Sequence, residues 1–522
     1  MSRTALSWRP RLRLRYGTAA LAFLLYGCAT RVPQVLTPQI MPKTFSGQIT
    51  GLEQVWPQPD WWRTFGSSEL SDLIERAQAG NRDLAVAAAR VMEARAQSII
   101  QRAALFPQIN AQAQALRSPS GRSGQSINGQ SYSAGNSFGL TFGASYELDF
   151  WGLARSDFRA ANEALKSARF AQQAMALTIT ANVANTFFGV LALRVRIAIA
   201  NEDIAAINGI LDTINLRVST GKSSRLDLAQ EQAQVELVLA QLAVLEEQEL
   251  EARVALAVLL GEPPQGFEVK THNLEAFHLP VVQAGLPSEL LLRRPDVAQA
   301  EANLAAAHAN LDAARAAFLP QFALTGNGGF AGTAINALLH GPNFAWDFGA
   351  NLLQTVFDGG KLVGQKNLAQ ATQQELIASY QSAVLNAYAD VENALGQVTN
   401  NRKAEIHLGR EVEAAREAFK ISQLQYRQGA TDLLTVLQAQ QTLFSAEDQL
   451  AQITLAHMQA VVHLFEALGG GWMEPMEERT QFDSAQIGSQ QQRMAERWAG
   501  CRISHFEILS ALDAYHFTEG SA

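Results

Sequence analysis

Cysteine is almost missing from this chain. Its 522 residues hold two, Cys28 and Cys501, too few for a disulfide framework. Charge is sparse too, at 17% of residues, and sums to −8 with a pI near 5.7, so no basic surface for nucleic acid exists. Metal-ligand clusters are absent from the pattern: His272, His278, His308, His340, His407, His457 and His463 are scattered. The helical His457 and His463 are six apart and share no face. No carboxylate pair has catalytic spacing. Gly121, Gly124, Gly359 and Gly360 precede no GKS or GKT in a strand–helix setting. Ser219-Thr220-Gly221-Lys222-Ser223 does hold a GKS, but no glycine stands four residues upstream, and it reads as a helix–helix turn. These absences point away from enzymes, and the sequence implies no cofactor and no metal. The chain is also too polar for a bundle of transmembrane helices.

What is present begins at the N-terminus. Residues 1–27 carry five arginines and then a short apolar run, Ala19 to Tyr26, too short to span a bilayer as a helix and of the form of an export signal. Leu25-Tyr26-Gly27-Cys28 resembles the lipobox of bacterial lipoproteins, which implies cleavage before Cys28 and lipidation of it; a plain signal peptide is the alternative. Residues 28–68 form an extended lead with prolines at 33, 38, 42, 57 and 59.

The longest strand signal lies at 138–150. Phe138, Leu140, Phe142, Ala144, Tyr146, Leu148 and Phe150 alternate with Gly139, Thr141, Gly143, Ser145, Glu147 and Asp149. At about 3.4 Å per residue the stretch spans roughly 40 Å, enough for a tilted membrane strand. A weaker strand is predicted at 108–117, and 118–137 is a Ser/Gly-rich polar loop. A helix then runs without a break from about 153 to 218. Val183, Val190, Ile197, Ile204, Leu211 and Val218 recur every seven residues, beside a row of Leu193, Ala200, Ile207 and Ile214, so the helix packs in a supercoil. After the turn a second helix returns over about 226–260, with Val238, Leu245, Ala252 and Leu259 in its seam.

The whole arrangement then repeats. Domains are expected at 69–262 and 285–468, joined by a linker at 263–284 and followed by a polar tail at 469–522. The second half has strands at about 321–331 and 344–357 and long helices at about 362–425 and 432–468. Phe357-Asp358-Gly359-Gly360-Lys361 answers Asp149-Phe150-Trp151-Gly152-Leu153. The expected fold class is therefore mixed membrane α/β. Four strands per chain cannot close around a pore, and open edges in lipid are costly, so closure takes several chains. Three chains give a 12-stranded β-barrel continuous with a long α-helical barrel. Glu147, Asp149 and Asp347 fall opposite the aromatic face and are expected at the lumen or its inner mouth.

Trp61-Trp62…Phe65…Leu70…Leu73-Ile74, Asn81…Asp83-Leu84, GLPSELLLRRPDV from Gly285, Phe357-Asp358-Gly359-Gly360 and Tyr426-Arg427…Gly429 together resemble the outer membrane factor (TolC-like) family. The similarity is greatest to the NodT-like lipoprotein branch that serves resistance-nodulation-division (RND) pumps. It covers residues 28 to about 470 and implies a homotrimer in the outer membrane, with its helical part in the periplasm. The partners it implies are a periplasmic adaptor and an inner-membrane RND pump, and the function is passive export of small toxic compounds or drugs. In that family the helical turns form the periplasmic tip where the adaptor docks. Here these are Leu216, Arg217, Ser219, Thr220 and Gly221, with Leu424, Tyr426, Arg427 and Gly429. Family members often carry Asp–Ala–Gln–Arg inside the last helix as an ionic lock. This chain has Gln438-Ala439-Gln440-Gln441 instead, leaving Asp227 and Asp432 with Gln438 and Gln441 as gate candidates. Closure by packing and amide contacts is the expectation. Two alternatives share parts of the pattern: a channel for type I protein secretion, and a periplasmic coiled-coil scaffold or adaptor. The scaffold leaves the four amphipathic strands unexplained.

Overall fold

The computed structural model describes residues 45, 56–118, 135–221, 223–272, 274, 277, 279–280 and 290–472. Cys28, the signal segment, most of the lead, the Ser/Gly-rich loop, Gly285 to Glu289 and Cys501 with its tail lie outside the described residues.

A short 3-10 turn at Trp61–Phe65 precedes helices α1 (Ser68–Gly80) and α2 (Arg82–Ala103). Strands β1 (Gln108–Ser118) and β2 (Gly135–Leu148) follow, then α3 (Leu153–Ser219) and α4 (Arg225–Leu260). The second half holds α5 (Pro295–Ala316), β3 (Gln321–Gly332), β4 (Phe344–Leu353), α6 (Lys361–Gln428) and α7 (Leu433–Ala467). The duplicated order of helix, strand, strand, long helix and returning helix is thus present in both halves. At about 1.5 Å per residue, the 67 residues of α3 and the 68 of α6 are rods of roughly 100 Å.

The local reasons are readable. Asn81 caps α2 by accepting from the Leu84 amide at 3.0 Å, and its Nδ2 donates to the Leu259 carbonyl at 2.8 Å, tying the start of α2 to the end of α4. Gly261 ends α4 with φ of 73°, and a Cβ there would lie 2.2 Å from the Gly80 carbonyl oxygen. Only two glycines allow the ends of α1 and α4 to approach this closely.

The four strands form one antiparallel sheet in the order β1-β2-β3-β4, so the two halves meet at the β2–β3 pair. The helices converge on a core of Trp61, Phe65, Leu70, Ile74, Phe187, Phe188, Leu191, Leu256, Leu260 and Phe465. Trp61 stacks on Phe465 with centroids 4.7 Å apart, and Phe65 tilts against Phe188 at 5.2 Å. This knot joins α1, α3, α4 and α7 part-way along the rods. It also buries nearly half of the α3 stretch that is long and apolar enough by composition to cross a membrane. Near the turn, full burial falls on Ala200, Ile207, Ile210 and Ile214, while Ile197, Ile204, Leu211 and Val218 stay half-buried. Both rows were expected to pack: Val183 and Val190 are fully buried further along α3, and Ile197, Ile204 and Val218 pack half-buried against clusters of the same chain.

Phe188→Ala removes a fully buried ring from the knot and is expected to cost about 3–5 kcal/mol of local stability. Native-state hydrogen exchange of α1 and of the α3 segment around residue 188 measures it.

Candidate functional site

The sheet has two unlike faces, and the register defines them. One face carries the row Ala111, Phe142, Gly328 and Trp346, and the next row, Ala113, Leu140, Phe330 and Phe344. Among the described residues nothing covers the outer part of this face: Trp346 is 74% and Phe348 70% exposed. The opposite face carries Asn110, Gly143, Asn327 and Asp347 in one row, with Gln108, Gln112, Gln114, Thr141, Ser145, Glu147, Thr325 and Asn351 in others. Asn327 Nδ2 donates to Asp347 Oδ2 at 3.0 Å across two strands. A bare greasy face backed by a wet one is the pattern of a sheet between lipid and water. Glu147 and Asp347 share the wet face.

Asp149 has a different place. β2 ends at Leu148, short of 150, because the chain turns there to start α3. The Asp149 Oδ2 accepts from the backbone N–H of Arg155 at 2.9 Å and from its Nε at 3.1 Å, capping the first turn of the helix. The second half repeats the device: Asp358 accepts from the amides of Gly360 at 2.9 Å and Leu362 at 2.8 Å at the start of α6. β4 likewise ends at Leu353 rather than 357, leaving Val356 and Phe357 fully solvent-facing. Trp151 Nε1 donates to the Pro320 carbonyl at 2.7 Å, and Phe150 meets Phe322 edge-on at 5.1 Å. Aromatic side chains thus gather where strand becomes rod.

At the far end of the rods the two helical turns are brought together. Arg217, near the end of α3, donates through Nη2 to the carbonyls of Tyr426 and, at 3.2 Å, Arg427 at the end of α6. Its guanidinium also lies 4.2 Å from the Tyr426 ring centroid. A cation on two helix-terminal carbonyls satisfies acceptors that helix geometry leaves open. Tyr426 packs with Ile210, Ile214, Leu433 and Val436. Ser219 and Thr220 hydroxyls donate to the Leu216 carbonyl at 2.7 and 3.1 Å, and Gly221 and Gly429 close the turns with φ of 72° and 76°. Leu216 and Leu424 point to solvent.

The two candidate gate aspartates are helix caps. Ser224 Oγ accepts from the Asp227 amide at 3.1 Å while Asp227 Oδ2 accepts from the Ser224 amide at 2.9 Å, a capping box at the start of α4. Asp432 Oδ1 accepts from the amide and hydroxyl of Thr435 at 3.0 and 2.6 Å. Gln438 and Gln441 are exposed, but Gln440 between them is buried, and its Nε2 donates to Asp203 Oδ1 of α3 at 2.9 Å. Sequence reasoning passed over Asp203 and Glu231, and within the run at 438–441 it chose Gln438 and Gln441 rather than the buried Gln440. The signal was there: Glu231 stands seven residues before Val238, on the seam of α4.

Sheet and rods together define a protein of the outer-membrane channel class. The family model described as "Outer membrane efflux protein" matches residues 73–262 and 286–470, and the chain belongs to that family. The pyoverdine export outer membrane protein OpmQ of Pseudomonas aeruginosa is 38% identical over 456 residues, covering 86% of this chain and 96% of that protein. The cation efflux system protein CusC of Escherichia coli is 30% identical over 461 residues, covering 87% and 98%. Among solved structures, the outer-membrane channel OprN superposes with a TM-score of 0.78 at 26% identity, covering 84% of this chain and 99% of that one. The open-state channel MtrE of Neisseria gonorrhoeae superposes with 0.76 at 28% identity, covering 85% and 98%. The chain is an outer-membrane channel component of RND-type tripartite efflux systems that export small molecules.

Ser224→Ala removes one half of the capping box and is expected to cost about 1 kcal/mol at the start of α4. Amide exchange at residues 225–228 should quicken several-fold, leaving the knot unchanged.

Proposed function

We propose that three copies of this chain close their sheets into one 12-stranded barrel continuous with a helical tunnel, anchored in the outer membrane through acylated Cys28. The observation that carries the reading is the open four-stranded sheet with its bare aromatic face. In lipid, the unpaired N–H and C=O groups along β1 and β4 each cost several kcal/mol, and pairing β4 of one copy with β1 of the next removes that cost. Along the rods, the solvent-facing Leu237, Val244 and Val258 of α4 and Leu385 and Ile406 of α6 offer apolar seams for neighbouring copies.

In this assembly Glu147 and Asp347 line the lumen, and Asp149 stands at its inner mouth. Phe150, Trp151 and Phe357 form the aromatic belt at the inner interface. The turns at Leu216, Arg217, Ser219, Thr220 and Gly221 and at Leu424, Tyr426, Arg427 and Gly429 form the periplasmic tip, where an adaptor docks and the tunnel narrows. Closure there rests on packing around Tyr426 and on the Arg217 and Gln440 contacts, with Asp227 and Asp432 committed to their helix ends. The cargo is small toxic compounds or drugs, delivered by an inner-membrane RND pump that does the selecting; relatives named for pyoverdine export and for cation efflux, 38% and 30% identical, support an export role.

Planar-bilayer recordings on purified protein test the reading. Discrete conductance steps are expected, with closure insensitive to millimolar divalent cations. Absence of any conductance contradicts the channel, and cation block reversed by Asp432→Ala contradicts the gate. For the anchor, mass spectrometry of the mature N-terminus is expected to find acylated Cys28 and to find Cys28→Ala unlipidated.

A further inference from the structure

Three helices meet on a polar cluster that neither the sheet nor the tip uses. Glu231 of α4 is wholly buried, and neither carboxylate oxygen has a hydrogen-bond partner among the described residues. Gln440 of α7 is 2% exposed; its amide nitrogen holds Asp203 of α3, and its Oε1 is also without a partner. A buried charged carboxylate with no donor is strongly disfavoured, whereas a protonated one removes the charge and offers a donor of its own. Asp203 lies sixteen residues before the end of α3 and Glu231 six residues into α4, so both sit within about 25 Å of the first turn.

We propose that Glu231, set against the Asp203 that Gln440 holds, is a proton-binding site that couples the packing of α3, α4 and α7 near the tip to the pH of the surrounding compartment. The charges around it support this. On α3, Asp203 is the charged group acting on Glu231; α7 contributes the neutral Gln440 and, further along, Glu447, which acts on Asp203. On α6, Arg416 is held by Glu447 at 2.7 Å and also faces Glu413 and Glu202, so its charge is already matched. Asp227, one turn earlier on α4, is engaged by Ser224, and Arg217 by the carbonyls of α6. No cation is left to compensate Glu231 among these groups. Burial first, then the Asp203 charge, pushes its carboxyl up to about 7.

The sign follows from linkage. With a raised value in the packed state, that state binds the extra proton. Packing is favoured at acid pH, weakens as pH climbs from the ordinary carboxylate range to about 7, and is flat above it. Its effect on conduction rests on the tip being the constriction proposed above.

Hydrogen-exchange mass spectrometry of the full chain in detergent, from pH 5.5 to 8.5 and corrected for intrinsic exchange, reads the coupling at residues 200–214, 228–242 and 433–444. Protection is expected to fall by about tenfold to thirtyfold with rising pH, the upper bound being full linkage at tenfold per unit over the stretch between pH 5.5 and about 7. Glu231→Gln should hold protection constant across the range. Asp203→Asn should move the midpoint to lower pH by removing the like charge. Wild-type protection that does not change with pH, a pH dependence retained in Glu231→Gln, or a midpoint unmoved in Asp203→Asn each overturns the proposal. In parallel recordings, open probability should rise over the same pH range. Flat open probability with pH-dependent protection would overturn the gating consequence alone, while conduction itself would stand.

Discussion

An unpaired backbone edge cannot be left in lipid, and the rest of this architecture follows from that. The chain supplies four antiparallel strands whose aromatic face has no cover, and whose first and last strands have no second neighbour, among the described residues. Four strands are too few to enclose anything. In the proposed assembly closure comes from other copies, and the long helices that leave β2 and β4 are carried into a common ring. Asp149 and Asp358 start those helices by the same means, a carboxylate over the first turn, so both rods leave the sheet at equivalent points of the repeat.

The rods are too long to stand alone. Their stability comes from the knot around Trp61, Phe188 and Phe465 and from heptad seams that are only partly filled within one chain. Half-buried Ile204 and exposed Val244 illustrate the incompleteness. Arg217 joins the two helical turns through main-chain carbonyls rather than through an acidic side chain, and the run at 438–441 of the last helix holds no Asp and no Arg.

Much of this was legible in the sequence because the physics is periodic. Alternation in Phe138 to Leu148 and in Phe344 to Leu352 declared strands with two faces, and spacing by seven declared the rods. The duplicated Asp-Gly exits declared the repeat. What escaped was local competition and what period alone does not weigh. Asp149 continued the alternation of β2, yet its carboxylate was taken by Arg155 and the strand stopped at Leu148. Asp227 and Asp432 stood near a presumed constriction, but each is the nearest acceptor for an open helix end. Glu231 occupied a seam position where an apolar residue is the rule, and a charge on a seam is easily read as solvated when its three-helix surroundings are not in view.

The central claim is that the sheet edges are satisfied between copies. Native mass spectrometry of the purified protein, released from detergent under gentle activation, tests it most directly. The account predicts a species of three times the protomer mass that loses channel activity when it dissociates. A stable, conducting monomer, or a closed assembly of any other number, would contradict it.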